Sequence, residues 1–231
     1  LSNSKPEIGI FGGTFNPIHF GHLRLAEEVR ERLSLERIIF IPSCVPPLKK
    51  EEVVSADDRL SMVRMAIEGN PFFELSDIEC KRKGVSYTVE TLRELKGTVK
   101  NKRYVFIMGI DSFLELPLWY RPEEFIELTD IAVLNRPPYR IKELYGSPYL
   151  KKKSDKTEFL YHRPQMMGQG EIQVNALELS SGRTLYVIPV TGLNISASEI
   201  RRLLKNGKSV KYLLPESVES YIISKGLYKQ K

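Results

Sequence analysis

Cysteine is nearly missing from this sequence: Cys44 and Cys80 are the only two among 231 residues. Two thiols cannot staple a small secreted domain into a disulfide framework, so reduced cysteines in a cytoplasmic protein are expected. Histidine is almost as scarce, with His19, His22 and His162 alone. His19 and His22 stand three apart without the H-E-x-x-H pattern, which leaves zinc a weak reading. Long apolar runs are lacking as well. The longest, at 38–41 and 104–108, are strand-sized, far below the roughly 20 residues a membrane helix requires. The polar start, residues 1–7, has neither the charged opening nor the long apolar stretch of a secretory signal. No membrane partner is expected.

What is present is an ordinary balance of 42% hydrophobic and 28% charged residues. That is enough to bury a full core, and a single domain spanning 1–231 is expected. The 35 basic and 29 acidic residues leave a net charge of +6. This excess suits a protein that handles anions, whether nucleotide phosphates, nucleic acid or acidic lipid, without choosing among them.

Short apolar runs alternate with helical patterns. Strands are predicted at 8–11, 37–41, 72–78, 104–108, 131–134 and 185–190. Helices are predicted at 21–33, at 87–95, at 122–128 and from 196 to 206 ahead of Gly207, with a last one opened by Pro215 and closed by Gly226. Ser55 and Asp58 form a capping box ahead of a further helix that should turn Leu60, Val63 and Ile67 inward. This alternation predicts an α/β fold, a mostly parallel sheet with helices on both faces and a helical C-terminal segment. Residues 138–183 read differently, rich in Tyr, Lys, Gly, Ser and Gln, with a basic run at Lys151, Lys152 and Lys153. An insertion, partly ordered or flexible, is expected there.

The most informative stretch is Gly12-Gly13-Thr14-Phe15-Asn16-Pro17-Ile18-His19-Phe20-Gly21-His22, directly after the first strand. Gly12 and Gly13 let backbone N–H groups approach an anion. The loop delivers His19 and His22 to a helix start, where unpaired N–H groups and the positive end of the dipole favour phosphate. Gly21 between them is expected to remove bulk where a polyphosphate lies. Taken singly, a Gly-Gly turn is more often only a turn and a helix-start histidine only a solvated one; the combination points to a phosphate cradle with two imidazoles in it.

This stretch resembles the G-G-[ST]-F-[DN]-P-x-H-x-G-H motif of the HxGH nucleotidyltransferases, and within them the bacterial nicotinate-nucleotide adenylyltransferases. Further segments are similar to that family's motifs. They are the loop ending at Lys49, the run Gly84-Val85-Ser86-Tyr87-Thr88-Val89, the strand end Gly109-Ile110-Asp111, the pair Trp119-Tyr120, and the stretch Asn194-Ile195-Ser196-Ala197-Ser198-Glu199-Ile200-Arg201. The resemblance implies a Rossmann-like sheet and transfer of AMP from ATP to nicotinic acid mononucleotide in NAD biosynthesis, with release of pyrophosphate. It implies catalytic roles for His19, His22 and Arg201, and ATP contacts from Gly12, Gly13, Thr14, Phe15, Gly109, Asp111, Ile195, Ser196 and Ser198. Lys49, Tyr87, Thr88, Trp119 and Tyr120 would meet the nicotinate nucleotide, the indole stacking on the pyridine ring. No protein ligand to a metal is implied, because Mg2+ would ride on the ATP phosphates.

The chain departs from the family pattern at Leu48, where a histidine is usual, at Ala197, where a second serine is usual, and at Asn16. Transfer to another phosphorylated acceptor, nicotinamide mononucleotide or phosphopantetheine, is the alternative within the same chemistry. A nucleotide sensor without turnover is another. A nucleic-acid-binding role would use the same basic balance, but no base-reading module is recognisable, and no nucleic-acid partner is expected. Oligomeric state is not readable from the sequence.

Overall fold

A computed structural model describes residues 7–46, 53–82, 84–98, 102–135, 141–151, 162–166 and 171–229. The first strand β1 (Glu7–Gly13) feeds helix α1 (Phe20–Leu33), and β2 (Arg37–Pro42) follows. Helix α2 (Ala56–Ile67) begins at the predicted cap, where Ser55 accepts the Asp58 N–H at 3.0 Å. The short β3 (Phe73–Leu75) and one-turn α3 (Ile78–Lys81) lead to α4 (Thr88–Thr98). Then come β4 (Arg103–Gly109), α5 (Ile110–Leu114), α6 (Pro122–Leu128) and β5 (Asp130–Asn135). The antiparallel pair β6 (His162–Met166) and β7 (Glu171–Glu178) precedes β8 (Thr184–Pro189), and α7 (Ala197–Lys205) and α8 (Glu216–Lys225) end the chain.

The strands form one sheet in the order β3-β2-β1-β4-β5-β8-β7-β6. Its first six members are parallel, while β7 runs antiparallel to both β8 and β6. The chain winds outward from β1 through β2 to β3, then returns to place β4 on the other side of β1. Between the carboxyl ends of β1 and β4 the connections therefore leave in opposite directions, which opens a crevice at the point where open α/β sheets bind ligands.

Alternation along each strand sends successive side chains to two cores. Phe11, Ile38, Phe40, Val105 and Ile107 pack under α1, α2, α7 and α8. Ile8, Ile10, Ile39, Ile41, Phe106 and Met108 pack under α4, α5 and α6. The expectation of helices on both faces holds. Among the described residues no helix is long and apolar enough to cross a membrane.

Two expectations need correction, and the described part of the expected insertion can be added to the sheet. The run 72–78 is not one strand: the Ser76 hydroxyl accepts the Ile78 N–H at 3.4 Å and turns the chain into α3 after only three strand residues. The inward face of α2 carries Arg59, Met62, Val63 and Ile67, with Leu60 only half-buried. In the described part of 138–183, β6 and β7 extend the main sheet, Leu150 bridges Leu179, and Leu144, Tyr149, Leu150, Leu177 and Leu179 join the second core. Lys151 pairs with Glu178 at 2.6 Å, while Lys152 and Lys153 lie outside the described residues.

Candidate active site

The glycine-bearing loop folds as tightly as its composition allows. A Cβ on Gly13 would stand 3.1 Å from the Phe15 ring, which is itself buried edge-on against Phe11 with ring centres 5.6 Å apart. Phe15 takes a positive φ of 47° and the Asn16–Pro17 peptide is cis. The backbone then delivers His19 in extended conformation as the N-cap of α1, and the His22 N–H donates to the His19 carbonyl at 2.9 Å.

That turn stacks the two imidazoles, with ring centres 3.7 Å apart and planes 24° from parallel. Phe15 supports the His22 ring from its edge at 5.2 Å. Gly21 lines the cavity and meets a second constraint beyond the one expected. A Cβ there would come within 2.9 Å of the His19 ring and 3.4 Å of the Ile195 carbonyl. Its missing side chain makes room for the histidine itself and for the C-terminal segment.

At the end of β4 a second glycine serves an acid. A Cβ on Gly109 would sit 2.1 Å from Asp111 Oδ1, so only glycine lets that carboxylate fold back over the strand end. Asp111 Oδ1 is buried and makes no hydrogen bond among the described residues, while the residue itself lines the cavity described below.

The C-terminal segment closes the same space. Thr191 N–H donates at 2.9 Å to Glu28 Oε2, fastening the approach to α7 onto α1. Ser196 caps α7 by accepting the Glu199 N–H at 3.2 Å, and its hydroxyl lies 3.2 Å from that of Ser198. Arg201 reaches back to donate from Nη1 to the Asn16 carbonyl at 2.9 Å, which sets its charge directly beneath the histidine loop.

These pieces enclose one cavity of about 510 Å³. Gly12, Gly13, Thr14, His19 and His22 line it together with Gly109, Asp111, Ile195 and Ser196. Tyr87, Thr88, Trp119 and Tyr120 line the same cavity. Of the other expected contacts, Phe15 packs edge-on against His22, Ser198 lies beside the Ser196 hydroxyl, and Arg201 bonds the Asn16 carbonyl. Lys49 and Leu48 lie outside the described residues.

Trp119 combines two tasks that the sequence set against each other. It lines the cavity, and it also packs at 5.4 Å on Phe125 and edge-on at 6.2 Å on Phe106. Tyr87 and Tyr120 face each other at 4.4 Å. Ser86, just before the start of α4, is tied to the loop after β2 in both directions, donating its N–H to the Val45 carbonyl at 3.1 Å and accepting the Val45 N–H at 3.3 Å.

Several residues that build the site had no signal in the sequence. Arg59 of α2 is 1% exposed and donates to four carbonyls: Thr14 at 2.9 Å, Ser43 at 2.6 Å, Cys44 at 3.0 Å and Val54 at 3.2 Å. Burial holds its guanidinium below the usual arginine value, with partial compensation from Cys80, Cys44, Tyr228 and Glu79 around it. Tyr228, from the end of the chain, donates to Asn16 Oδ1 at 2.7 Å, and burial pushes its phenol up.

Glu79 lines the cavity, and burial pushes its carboxyl up against the opposing pull of Thr91, Ser86, Arg82 and Arg59. The Cys80 thiol is pushed up to about 12 by burial and by Cys44, its hydrogen-bonding neighbour. The two cysteines thus meet in space as free thiols. Capping and ring patterns could not have disclosed Arg59 or Glu79, because a charged residue on a buried face reads as a break in the apolar stripe.

Among the described residues no group of three or more His, Cys, Asp or Glu side chains could hold a metal ion.

Comparison with known proteins follows this geometry. The sequence pattern described as cytidylyltransferase-like matches residues 10–203. A protein of Geotalea daltonii named "probable nicotinate-nucleotide adenylyltransferase" is 43% identical over 222 residues, covering 96% of this chain and 97% of that one. A protein of the same name from Trichlorobacter lovleyi is 40% identical over 226 residues, covering 96% and 99%. The structure of the Plasmodium falciparum nicotinic acid mononucleotide adenylyltransferase complexed with NaAD superposes with a TM-score of 0.71 at 18% identity, covering 96% of this chain and 97% of that one. That likeness bears on the fold.

Proposed function

The chain belongs to the cytidylyltransferase-like family, and from that premise we propose that it is a nicotinate-nucleotide adenylyltransferase, working in the cytoplasm on ATP and nicotinic acid mononucleotide. The observation that carries this reading is the cavity whose wall includes both the stacked His19 and His22 and the residues Tyr87, Thr88, Trp119 and Tyr120. Names of relatives about 40% identical over nearly the whole chain support the choice of acceptor.

In the reaction a phosphate oxygen of the mononucleotide attacks the α-phosphorus of ATP. A new P–O bond forms, the bond from the α-phosphorus to the bridging oxygen breaks, and pyrophosphate leaves with that electron pair. The products are nicotinic acid adenine dinucleotide and pyrophosphate. No covalent nucleophile is required, because nucleotidyl transfer depends on alignment and on charge stabilisation.

Gly12 and Gly13 admit the triphosphate against the backbone. His19 and His22, locked face to face, donate hydrogen bonds to phosphate oxygens as negative charge grows. Arg201, bonded to the Asn16 carbonyl, adds a fixed positive charge behind the leaving pyrophosphate. Asp111 Oδ1 accepts from a nucleoside hydroxyl. Magnesium, carried in by ATP, neutralises phosphate oxygens when bound. At the acceptor end, the first-turn N–H groups of α4 receive the nicotinate carboxylate, and the aromatic wall takes the pyridine ring.

The experiment is direct. The protein is incubated with MgATP and, separately, nicotinic acid mononucleotide, nicotinamide mononucleotide and phosphopantetheine, and pyrophosphate and dinucleotide are measured. Fastest turnover with the acid mononucleotide is expected. A preference for either of the other acceptors, or no pyrophosphate with any, overturns the reading.

A further inference from the structure

The C-terminal segment reaches the histidine loop at two points, one on each side of His19 in the chain. Before it, the Tyr228 hydroxyl donates to Asn16 Oδ1 at 2.7 Å. After it, the Leu213 carbonyl accepts the Phe20 N–H at 3.1 Å. The mechanism above uses neither contact.

The direction of the first bond is fixed by a second donor. The Val54 N–H also meets Asn16 Oδ1, at 3.3 Å. A backbone N–H can only donate, so the shared atom is the amide oxygen and the phenol must supply the hydrogen. Burial pushes that phenol up against the opposing pull of Arg201 and Arg59, so the donor keeps its proton at neutral pH.

The second bond answers a local need. The first N–H groups of a helix have no acceptor within it, and His19, although it stands at the N-cap of α1, makes no capping hydrogen bond with its side chain. Leu213 supplies an acceptor from outside the helix. The His19 imidazole stacks on His22 rather than turning back over its own helix end.

The anchors are themselves held in place. Val210, Leu214, Val218, Ile222 and Tyr228 are buried in the first core, which also takes in Ile18 of the loop. Tyr221 donates to Asp58 Oδ1 at 2.9 Å and pins α8 to the start of α2. Gly226 and Tyr228 both take positive φ, 62° and 61°. For a bulky residue that conformation is uncommon and costs energy. At Tyr228 it accompanies the turn that brings the phenol back to Asn16.

We propose that Tyr228 is a positioning residue for AMP transfer: its hydroxyl, acting through Asn16, sets where the loop holds His19 and His22 and where Arg201, which donates to the Asn16 carbonyl at 2.9 Å, places its charge. This rests on the function proposed above. Alignment carries much of the rate in such a transfer, and a displacement of about 1 Å can cost roughly a hundredfold.

The test compares the parent chain with Tyr228→Phe and Asn16→Ala, singly and together, on MgATP and nicotinic acid mononucleotide, well below every melting temperature. Tyr228→Phe keeps the buried ring and removes only the donor, so its melting temperature is expected to fall by no more than about 2–4 °C. Its kcat is expected to fall roughly ten- to a hundredfold, with the KM for the mononucleotide essentially unchanged. Placing p-aminophenylalanine at position 228 restores a ring-borne N–H donor and is expected to recover most of the lost kcat. The double variant is expected to be no slower than Asn16→Ala alone, because both changes break the same path.

Unchanged kcat in Tyr228→Phe, a loss that the aniline does not restore, or losses that multiply in the double variant overturn the inference and leave Tyr228 a packing residue. Should Tyr228→Phe fail to fold, Asn16→Ala breaks the same bond from its acceptor side and decides: a loss confined to kcat supports the coupling, and parent kinetics overturn it. A parent chain that turns over no acceptor overturns the proposed function and this inference together; a parent active on the acid mononucleotide, with Tyr228→Phe equal to it, overturns this inference only.

Discussion

Replacing Arg59 by methionine is the most demanding test of how the site is held. The guanidinium bonds Thr14 in the histidine loop, Ser43 and Cys44 after β2, and Val54 before α2. It therefore ties three backbone segments together beside the cavity. Methionine fills similar volume without a donor, leaving four carbonyls short of a partner at about 1–3 kcal/mol each before relaxation. Burying an apolar stem in place of a desolvated cation returns part of that, because a buried charge is itself costly. A net loss of about 3–5 kcal/mol is expected, a large share of the roughly 5–15 kcal/mol by which a domain is stable.

At about 2–4 °C per kcal/mol for a chain of this size, the melting temperature should fall by roughly 6–20 °C. Arg59→Lys keeps the charge but replaces a planar fork by a single ammonium that cannot reach all four acceptors, so an intermediate loss is expected. Below both melting temperatures, kcat/KM for ATP in the methionine variant should drop about a hundredfold, the scale of a misaligned phosphate loop. Thermal melts and ATP-dependent kinetics of the three proteins check this. A methionine variant that melts within about 2 °C of the parent, with kinetics unchanged, would refute the reasoning.

Two further substitutions bear on separate parts of the argument. His22→Ala should lower kcat by roughly two to three orders of magnitude, the effect of removing a transition-state donor, with little change in the KM for the acceptor; near-normal turnover in a folded variant removes His22 from the mechanism. Glu28 is 2% exposed, and burial pulls its carboxyl up, but the Thr191 N–H and Arg24 outweigh it and hold the group below its ordinary value. A lowered value means that the unfolded chain binds the proton more readily, so the stabilisation is fully present above the ordinary carboxylate range and is lost as pH falls through the folded value. Glu28→Gln should therefore melt lower than the parent at neutral pH, and the gap should close in acid; a gap of constant size across that range contradicts the assignment.

Much of the sheet was legible because apolar strand runs and capping residues are local signals. Ser55 and Ser196 cap where their spacing says, and Gly226 takes the positive φ that ends α8. The histidine loop was legible because its glycines, proline and histidines occur at one spacing. What escaped depends on partners far along the chain. Arg59 faces inward because Thr14 and Ser43 offer carbonyls 45 and 16 residues away, and nothing in the periodicity of α2 distinguishes this from a register shift toward Leu60. Strands β6 and β7 were hidden for another reason: an antiparallel extension at a sheet edge needs only a few apolar side chains, so its pattern is weak beside the fully buried strands.

Asn16 shows why a departure from a family pattern need not mark a lost function. The sequence alone counted it with Leu48 and Ala197 among the departures. In the fold Asn16 is 2% exposed and its Oδ1 accepts from the Tyr228 hydroxyl at 2.7 Å and from the Val54 N–H at 3.3 Å, while its carbonyl accepts from Arg201. Each of these contacts asks for an oxygen acceptor, and none asks for a negative charge. A neutral amide meets them without placing a second buried carboxylate beside the space the triphosphate is to occupy, where like charge would oppose the substrate. The loop, the chain end and the base of α7 are thereby fastened at one residue, and the site keeps the positive balance that phosphate transfer needs.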